Sequence, residues 1–79
     1  CQGTVFAITS ACASAAQAIG VGLGMIRSGQ ADRVIAGGSE ASLTPAGIRS
    51  WEAMRVLSDT HCRPFSCDRD GMVLGEGAA

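Results

Sequence analysis

One cysteine in this chain stands where a nucleophile would be expected. Cys12 follows the apolar run Thr4–Thr9 and precedes a long segment without proline that begins at Ala13. A cysteine at the start of a helix meets unpaired N–H groups and the positive end of the helix dipole, and both favour the thiolate over the thiol. The alternative is a small buried thiol, because free cysteine packs like a small hydrophobic side chain.

The neighbours of Cys12 suit attack on a carbonyl group. All four residues within two positions are small, so a substrate carbonyl can approach closely; they are Ser10, Ala11, Ala13 and Ser14. A strand, a sharp turn, a nucleophile and a helix form the arrangement called a nucleophile elbow. Backbone N–H groups of such a turn can point at a developing oxyanion. This pattern alone leaves both the catalytic and the buried interpretation open.

The segments that must position Cys12 alternate between strand and helix patterns. Short runs that are apolar on both faces indicate fully buried strands. The predicted strands are Thr4–Thr9, Arg33–Ser39 and Met72–Gly75, and the predicted helices are Ala13–Ser28 and Ala46–Arg55. This order predicts an α/β protein with a parallel or mixed sheet.

The first helix is apolar all round, which is typical of a buried helix. One ridge carries only small residues at i, i+4 spacing: Cys12, Ala16, Gly20, Gly24 and Ser28. Because glycine costs up to about 1 kcal/mol relative to alanine within a helix, this ridge predicts the close approach of another backbone. Arg27 and Gly29 are typical of a helix C-terminus.

Composition excludes several classes of function. The chain has 79 residues and a net charge of −1, and its six basic residues, all arginine, form no stripe that would favour nucleic acid. No apolar run has the roughly eighteen residues of a membrane span, and no signal peptide is visible. The hydrophobic fraction of 47% and the eleven glycines suit elements buried on several sides. We therefore expect an internal fragment of a longer protein.

The remaining cysteines and carboxylates favour structural roles. Cys62 and Cys67 are too far apart for a CxxC knuckle, and the only histidine, His61, adjoins Cys62, so we expect no zinc site and a reduced, cytoplasmic protein. Glu40 and Glu76 lie beside glycine-rich strand ends, and we expect them to be hydrogen-bonding carboxylates. No P-loop lysine follows Gly77, which argues against nucleotide binding.

Four blocks occur in a fixed order along the chain. They are Ser10–Ala15, Ala36–Ala41, Arg63–Ser66 and Arg69–Ala78. Together they resemble the β-ketoacyl-[acyl-carrier-protein] synthases, the condensing enzymes of fatty-acid and polyketide synthesis. The segment Trp51–Ser58 is most similar to the elongating, synthase-II-like branch, which includes nodulation-type homologues. Ser66, Met72 and Ala79 depart from the commoner family residues and bear on the subfamily more than on the chemistry.

The resemblance implies a thiolase-like fold of α-β-α-β-α layers, with residues 1–79 forming part of the N-terminal ketosynthase domain. It implies that Cys12 attacks an acyl thioester and that its own backbone N–H is one oxyanion donor. The reaction would be decarboxylative Claisen condensation with malonyl-acyl-carrier-protein. The two histidines of that reaction lie in HGT- and GH-type motifs that this chain lacks. His61 is expected to be a loop residue, and the fragment alone is expected to be inactive.

Three further positions match the family. Trp51 corresponds to an apolar position at the acyl pocket, or is simply a core residue, and Gly47 would leave room for the acyl chain. Arg55 corresponds to a basic position that contacts the acidic carrier protein; alternatively it pairs with Glu52 on a solvated helix face that also carries Arg49. The apolar side of that helix would be Ile48, Trp51 and Met54.

The resemblance also implies partners and cofactors. The partner is an acyl carrier protein whose phosphopantetheine delivers the substrates, with no metal or other cofactor. A homodimer is expected in the full-length protein, because Thr4–Thr9 resembles a strand that pairs across a two-fold axis and such an apolar edge would aggregate if exposed. The alternatives are a thiolase or starter-type synthase, and a non-catalytic subunit like a chain-length factor. Retention of Cys12 argues against the last, since such subunits typically replace the nucleophile.

Overall fold

The computed structural model describes residues 3–79. These residues form two compact units. The first unit ends at Ser39 and includes Ala78–Ala79, and the second is Glu40–Gly77. The elements are helix α1 (Ser14–Arg27), strand β1 (Ser39–Glu40), helix α2 (Pro45–Ala53) and strand β2 (Gly77–Ala78). The chain is therefore of mixed helix and strand, as the sequence predicts, and the layers of a thiolase-like fold stay an expectation.

The two short strands form a two-stranded sheet. Beside them, Gly38 donates its N–H to the carbonyl of Ala79 at 2.9 Å, and Ala79 donates to the carbonyl of Gly38 at 3.1 Å. Such a reciprocal pair of hydrogen bonds marks antiparallel strands. The parallel or mixed sheet predicted from the alternation is therefore not formed by the described residues.

The three predicted strands are wrong for the described residues. Thr4–Thr9 forms no strand, Arg33–Ser39 contributes only its last residue to β1, and Met72–Gly75 contributes only a bridge between Met72 and Leu57. A strand exists only where a neighbouring strand accepts its hydrogen bonds. Val5 is 87% exposed and Ile35 is 93% exposed, so residues 3–79 do not provide the neighbours that these apolar segments need.

Helix α1 begins one residue later and ends one residue earlier than predicted. Ser28 is its C-cap, and Gly29 follows with a φ of +73°, as the sequence indicated. Within residues 3–79 the helix is not buried all round: Gly22 is its one buried residue, and Ile19 is 61% exposed. The helix therefore packs through one face only.

The close approach of another segment occurs at Gly22 rather than along the small-residue ridge. A Cβ placed on Gly22 would lie 2.9 Å from Cγ1 of Val34, whereas no described atom lies within 4 Å of a Cβ placed on Gly20 or Gly24. An open apolar groove of about 300 Å³ runs beside this contact. Its lining residues are Ile19, Gly22, Leu23, Ile26, Val34 and Ala36. Approach of a backbone to the ridge stays a prediction.

Helix α2 begins one residue earlier and ends two residues earlier than predicted. The hydroxyl of Thr44 caps it by accepting the N–H of Gly47 at 3.1 Å, and Pro45 occupies the first turn, where its missing N–H costs nothing. Met54 is the C-cap, and Arg55 follows with a φ of +56°. A left-handed residue after the C-cap is a common helix end, although glycine usually occupies it.

Residues 57–72 form a loop whose two ends meet, which is the arrangement of an Ω-loop. Met72 donates its N–H to Val56 and Ser58 donates to Met72, both at 2.9 Å. Inside the loop, Arg63 binds Asp70 at 3.1 Å and Asp68 at 3.5 Å. This guanidinium therefore joins two carboxylates of the same loop.

Neither helix of residues 3–79 has the length and apolar character needed to cross a bilayer.

Candidate active site

Cys12 lies in a tight turn immediately before α1. Ala13 donates its N–H to the carbonyl of Ser10, and Ser14 donates to the carbonyl of Ala11, both at 3.2 Å. Ala11 has a φ of +51°, a left-handed conformation that costs a residue with a side chain roughly 1–2 kcal/mol. The sharp turn and the helix of the predicted nucleophile elbow are confirmed, whereas its strand is absent from the described residues.

The hydroxyl of Ser14 forms hydrogen bonds to two backbone groups of this turn. It accepts the N–H of Ser10 at 2.9 Å and donates to the carbonyl of Ala11 at 2.7 Å. Two hydrogen bonds with a net value of about 1 kcal/mol each offset a strain of the size expected at Ala11. Sequence reasoning treated Ser14 only as a small neighbour. The signal that could have found it is a serine at a helix start, where its hydroxyl readily bonds nearby backbone groups.

The turn leaves Cys12 open to a substrate. Its side chain is exposed, and among residues 3–79 no acceptor pairs with its backbone N–H. The first turn of α1 has neither a side-chain cap nor an acidic residue, so no local carboxylate offsets the positive end of the helix dipole. The arrangement can therefore present a thiol and an N–H donor to one carbonyl group. The role of Cys12 as nucleophile stays a prediction.

Gly47 and Trp51 lie one turn apart on α2. Trp51 is half-buried in the second unit. A side chain on Gly47 would collide with the carbonyl oxygen of Ser42, and it would lie 3.2 Å from the hydroxyl oxygen of Thr44. The capping loop before α2 therefore provides a local reason for glycine at this position. Room for an acyl chain beside Gly47 stays a prediction.

Arg55 is not part of the charged helix face that the sequence predicted. It follows the end of α2, and Glu52 binds Arg49 at 2.7 Å instead. The Glu52–Arg55 pair, which was the alternative to a carrier contact, is therefore not formed, because the left-handed turn at Arg55 interrupts the helical spacing on which such a pair depends. Among residues 3–79, no carboxylate pairs with Arg55. Contact with a carrier protein stays a prediction.

The structure does not gather all the predicted site residues into one unit. Cys12 belongs to the first unit, and Gly47, Trp51 and Arg55 belong to the second. The groove beside Gly22 lies in the first unit and is lined only by glycine and aliphatic residues. Cys12 is not among those residues.

The two glutamates bind backbone groups, as predicted. Glu76 accepts the N–H of Leu43 at 3.0 Å, and Glu40 accepts the N–H of Ala41 at 3.1 Å and the hydroxyl of Ser42. Glu76 therefore joins the end of the chain to the loop before α2, whereas Glu40 binds only the two residues that follow it.

The loop of residues 57–72 contains the other titratable groups of interest. The hydroxyl of Ser58 and the guanidinium of Arg63 hold the pKa of Asp70 below its ordinary value of 3.8. His61 lies in this loop, where its carbonyl accepts the Ser58 hydroxyl at 3.3 Å. Cys62 and Cys67 are free and exposed, and no cluster of side chains suited to a metal ion occurs within residues 3–79.

Comparison with known proteins identifies one family along the whole chain. The model of the β-ketoacyl synthase N-terminal domain matches residues 1–79. Nodulation protein E of Rhizobium leguminosarum bv. trifolii is 56% identical over 77 residues, which are 98% of this chain and 19% of that protein. 3-oxoacyl-[acyl-carrier-protein] synthase 2 of Staphylococcus aureus is 43% identical over 82 residues, covering 98% of this chain and 20% of that enzyme.

A plant enzyme is also similar to nearly the whole chain. The chloroplastic 3-oxoacyl-[acyl-carrier-protein] synthase I of Hordeum vulgare is 40% identical over 83 residues, covering 98% of this chain and 18% of that enzyme. The chain thus spans about a fifth of the length of these relatives. No solved structure matches it.

Proposed function

Because the chain belongs to the β-ketoacyl synthase family, we propose that the full-length protein condenses an acyl thioester with malonyl-acyl-carrier-protein. The thiolate of Cys12 attacks the acyl carbonyl, the carrier thiol leaves, and the acyl group remains on Sγ. The malonyl thioester then loses CO2, and its carbanion attacks the acyl carbonyl of the enzyme thioester. The new C–C bond replaces the C–S bond to Cys12, so the β-ketoacyl group leaves on the carrier and the Cys12 thiolate is regenerated. A covalent intermediate of this kind divides one difficult step into two easier ones.

The turn around Cys12 carries this proposal. An exposed thiol stands between a left-handed residue and the start of a helix, and the N–H of the same residue has no acceptor among residues 3–79. Donors fixed in advance around a developing oxyanion stabilise it without reorganisation. One residue can therefore provide both the nucleophile and an oxyanion donor. The second donor and the two histidines would come from other parts of the full-length protein, within the layers of a thiolase-like fold.

An acyl carrier protein is the partner that the relatives support, since the Staphylococcus aureus and Hordeum vulgare proteins are named as acyl-carrier-protein synthases. Its phosphopantetheine would deliver both substrates, without a metal ion. The identities favour a nodulation-type branch, because four proteins named Nodulation protein E reach 52–56% and the carrier-protein synthases reach 40–43%. The homodimer and the cytoplasmic location belong to the same proposal.

Mass spectrometry of the acylated protein tests this function. The full-length protein is incubated with an acyl-carrier thioester and digested, and the acyl mass is expected on the peptide that contains Cys12. Cys12→Ser is expected to remove the label, and addition of malonyl-acyl-carrier-protein is expected to discharge it as a β-ketoacyl product.

Three results would contradict the proposal. Label on Cys62 or Cys67 would assign the nucleophile elsewhere. Acylation that acetyl-coenzyme A discharges without any malonyl substrate would indicate a thiolase. A protein that takes no acyl group would indicate the non-catalytic subunit.

A further inference from the structure

The peptide that carries the Cys12 N–H has an unusual backbone conformation at its first residue. Ala11, directly before Cys12, has a φ of +51°, a conformation that residues with side chains rarely adopt unless their surroundings hold them there. The Cys12 N–H belongs to the peptide that joins these two residues. Rotation at Ala11 would therefore change the direction in which this N–H points.

Ser14 is the residue that opposes such a rotation. Its hydroxyl donates to the Ala11 carbonyl at 2.7 Å, and this carbonyl belongs to the same peptide as the Cys12 N–H. The same hydroxyl accepts the Ser10 N–H at 2.9 Å on the other side of the turn. Because the peptide is planar, fixing its carbonyl also fixes its N–H.

We infer that Ser14 is a positioning residue that aims the Cys12 N–H at the oxyanion of the acyl transfer. The inference rests on the proposed function, since it assigns Ser14 a part in acylation of Cys12. It predicts a selective defect. Loss of the hydroxyl should impair attack on a thioester, which develops an oxyanion, much more than alkylation by iodoacetamide, which displaces iodide and develops none.

The test compares both reactions at Cys12 in the full-length protein. Removal of one oxyanion donor typically costs about 100- to 1,000-fold. Ser14→Ala displaces the donor without deleting it, so we expect a loss of roughly 10- to 100-fold in the acylation rate constant with a short carrier-free thioester. The iodoacetamide rate constant is expected to stay within about threefold, because the thiol keeps its place at the helix start.

Ser28→Ala is the matched control. Ser28 follows the same helix, and its hydroxyl donates to the carbonyl of Met25 at 3.2 Å, three residues earlier, as Ser14 does to Ala11. Its replacement is expected to leave both rate constants unchanged. Ser14→Thr and Ser14→Val are a second pair of variants. The threonine and valine side chains have the same shape, but only threonine has a hydroxyl group. The threonine variant is expected to retain acylation and the valine variant to lose it, even if Ser14→Ala does not fold.

The outcomes separate this inference from the proposed function. If wild-type Cys12 reacts with iodoacetamide but never with thioesters, the proposed function fails. If the wild type is acylated and Ser14→Ala is acylated at the same rate, the inference about Ser14 alone fails. Equal losses in both reactions, or equal behaviour of the threonine and valine variants, would also overturn it.

Discussion

A Cβ on Gly22 would lie 2.9 Å from Cγ1 of Val34, closer than real side chains pack. Gly22 is the buried residue of α1, and Val34 is half-buried beside it. The contact between this helix and the segment around Val34 therefore depends on the absence of a side chain at position 22.

Replacement of Gly22 by alanine is expected to destabilise the full-length protein by overpacking. Forcing one methyl group into a tight contact costs about 1–3 kcal/mol, which outweighs the gain of up to about 1 kcal/mol that alanine has over glycine within a helix. Val34→Ala removes the opposing methyl groups and should also destabilise the protein when it is made alone. The double variant is expected to lose less than the sum of the two single losses, because the shorter side chain makes room for the new methyl group. Denaturant unfolding of all four proteins measures this coupling, and additive losses would show that the two positions do not touch.

Local sequence signals were sufficient for the end of α1 and for the turn that precedes this helix. Gly29 after Arg27 predicted the end of α1, and the structure places the helix end there. The turn before α1 also agrees with the nucleophile-elbow pattern around Cys12. These features depend on residues a few positions apart, so a short stretch of sequence contains the interactions that form them.

The strands and the pairing of Arg55 could not be predicted in the same way. A short run that is apolar on both faces indicates that Thr4–Thr9 could be a buried strand, but hydrogen-bonding partners distant along the chain decide whether it forms one. At Arg55, spacing along a regular helix offered Glu52 as an alternative partner to a carrier protein. The helix ends at Ala53, so that spacing no longer applies.

In the full-length protein, Cys12 is expected to react with iodoacetamide faster than Cys1, Cys62 and Cys67. The described cysteines Cys12, Cys62 and Cys67 are all exposed, so exposure alone does not distinguish them. Among these three described cysteines, only Cys12 lies at the start of a helix, which is a typical position for a reactive cysteine. Peptide mapping after brief labelling gives the order, and faster labelling of Cys62 or Cys67 would contradict it. Cys1 lies outside the described residues and is mapped with the others.

Removal of the Asp70 carboxylate is expected to make the melting temperature depend less on pH in acid. Ser58 and Arg63 lower the pKa of Asp70 in the folded protein. The contribution of this carboxylate to the free energy of unfolding is therefore complete above its ordinary pKa of 3.8. It disappears as the pH falls through the lower pKa of the folded state. Asp70→Asn should lower the melting temperature at neutral pH and reduce its further decline in acid.

Asp59→Asn is the control for this experiment. Asp59 lies in the same loop, is exposed, and pairs with no arginine among residues 3–79. Its variant is expected to follow the wild-type profile of melting temperature against pH. If Asp70→Asn also follows the wild type in acid, the Arg63–Asp70 pair contributes nothing to acid stability.

Charge reversal at Arg55 is expected to impair reaction with carrier-bound substrates selectively. Complementary charges accelerate association, and the effect weakens with salt. Arg55→Glu should therefore slow acylation by an acyl-carrier thioester and reduce its salt dependence, while acylation by a short carrier-free thioester changes little.

Two further variants separate charge from backbone conformation. Arg55→Gly removes the charge at a position with a φ of +56°, which glycine adopts without strain, so it should retain stability and lose part of the carrier effect. Arg49→Glu reverses an exposed charge that already pairs with Glu52. We expect it to affect both substrates equally and slightly. Equal losses with both substrates in Arg55→Glu would indicate a structural role for Arg55.

Trp51→Ala is expected to shift the preference of the full-length protein toward longer acyl chains. Trp51 is the only tryptophan of the chain and is half-buried on α2. If it ends an apolar channel, its removal opens space for several carbons, and each buried methylene group is worth about 0.8 kcal/mol. A difference of a few carbons would therefore change relative acylation rates by orders of magnitude. If the rest of the full-length protein buries Trp51 completely, its removal also costs about 3–5 kcal/mol of stability.

The control for this experiment is Ile48→Ala, one helical turn earlier, where a half-buried aliphatic side chain is shortened on the same helix. A pocket that Trp51 closes should respond to Trp51→Ala with a changed order of chain lengths, and to Ile48→Ala at most with a uniform loss of rate. Self-acylation with a series of acyl-carrier lengths measures both profiles. If the folded Trp51→Ala variant keeps the wild-type order, Trp51 only packs α2 against its own unit, and other residues set the length of the acyl chain.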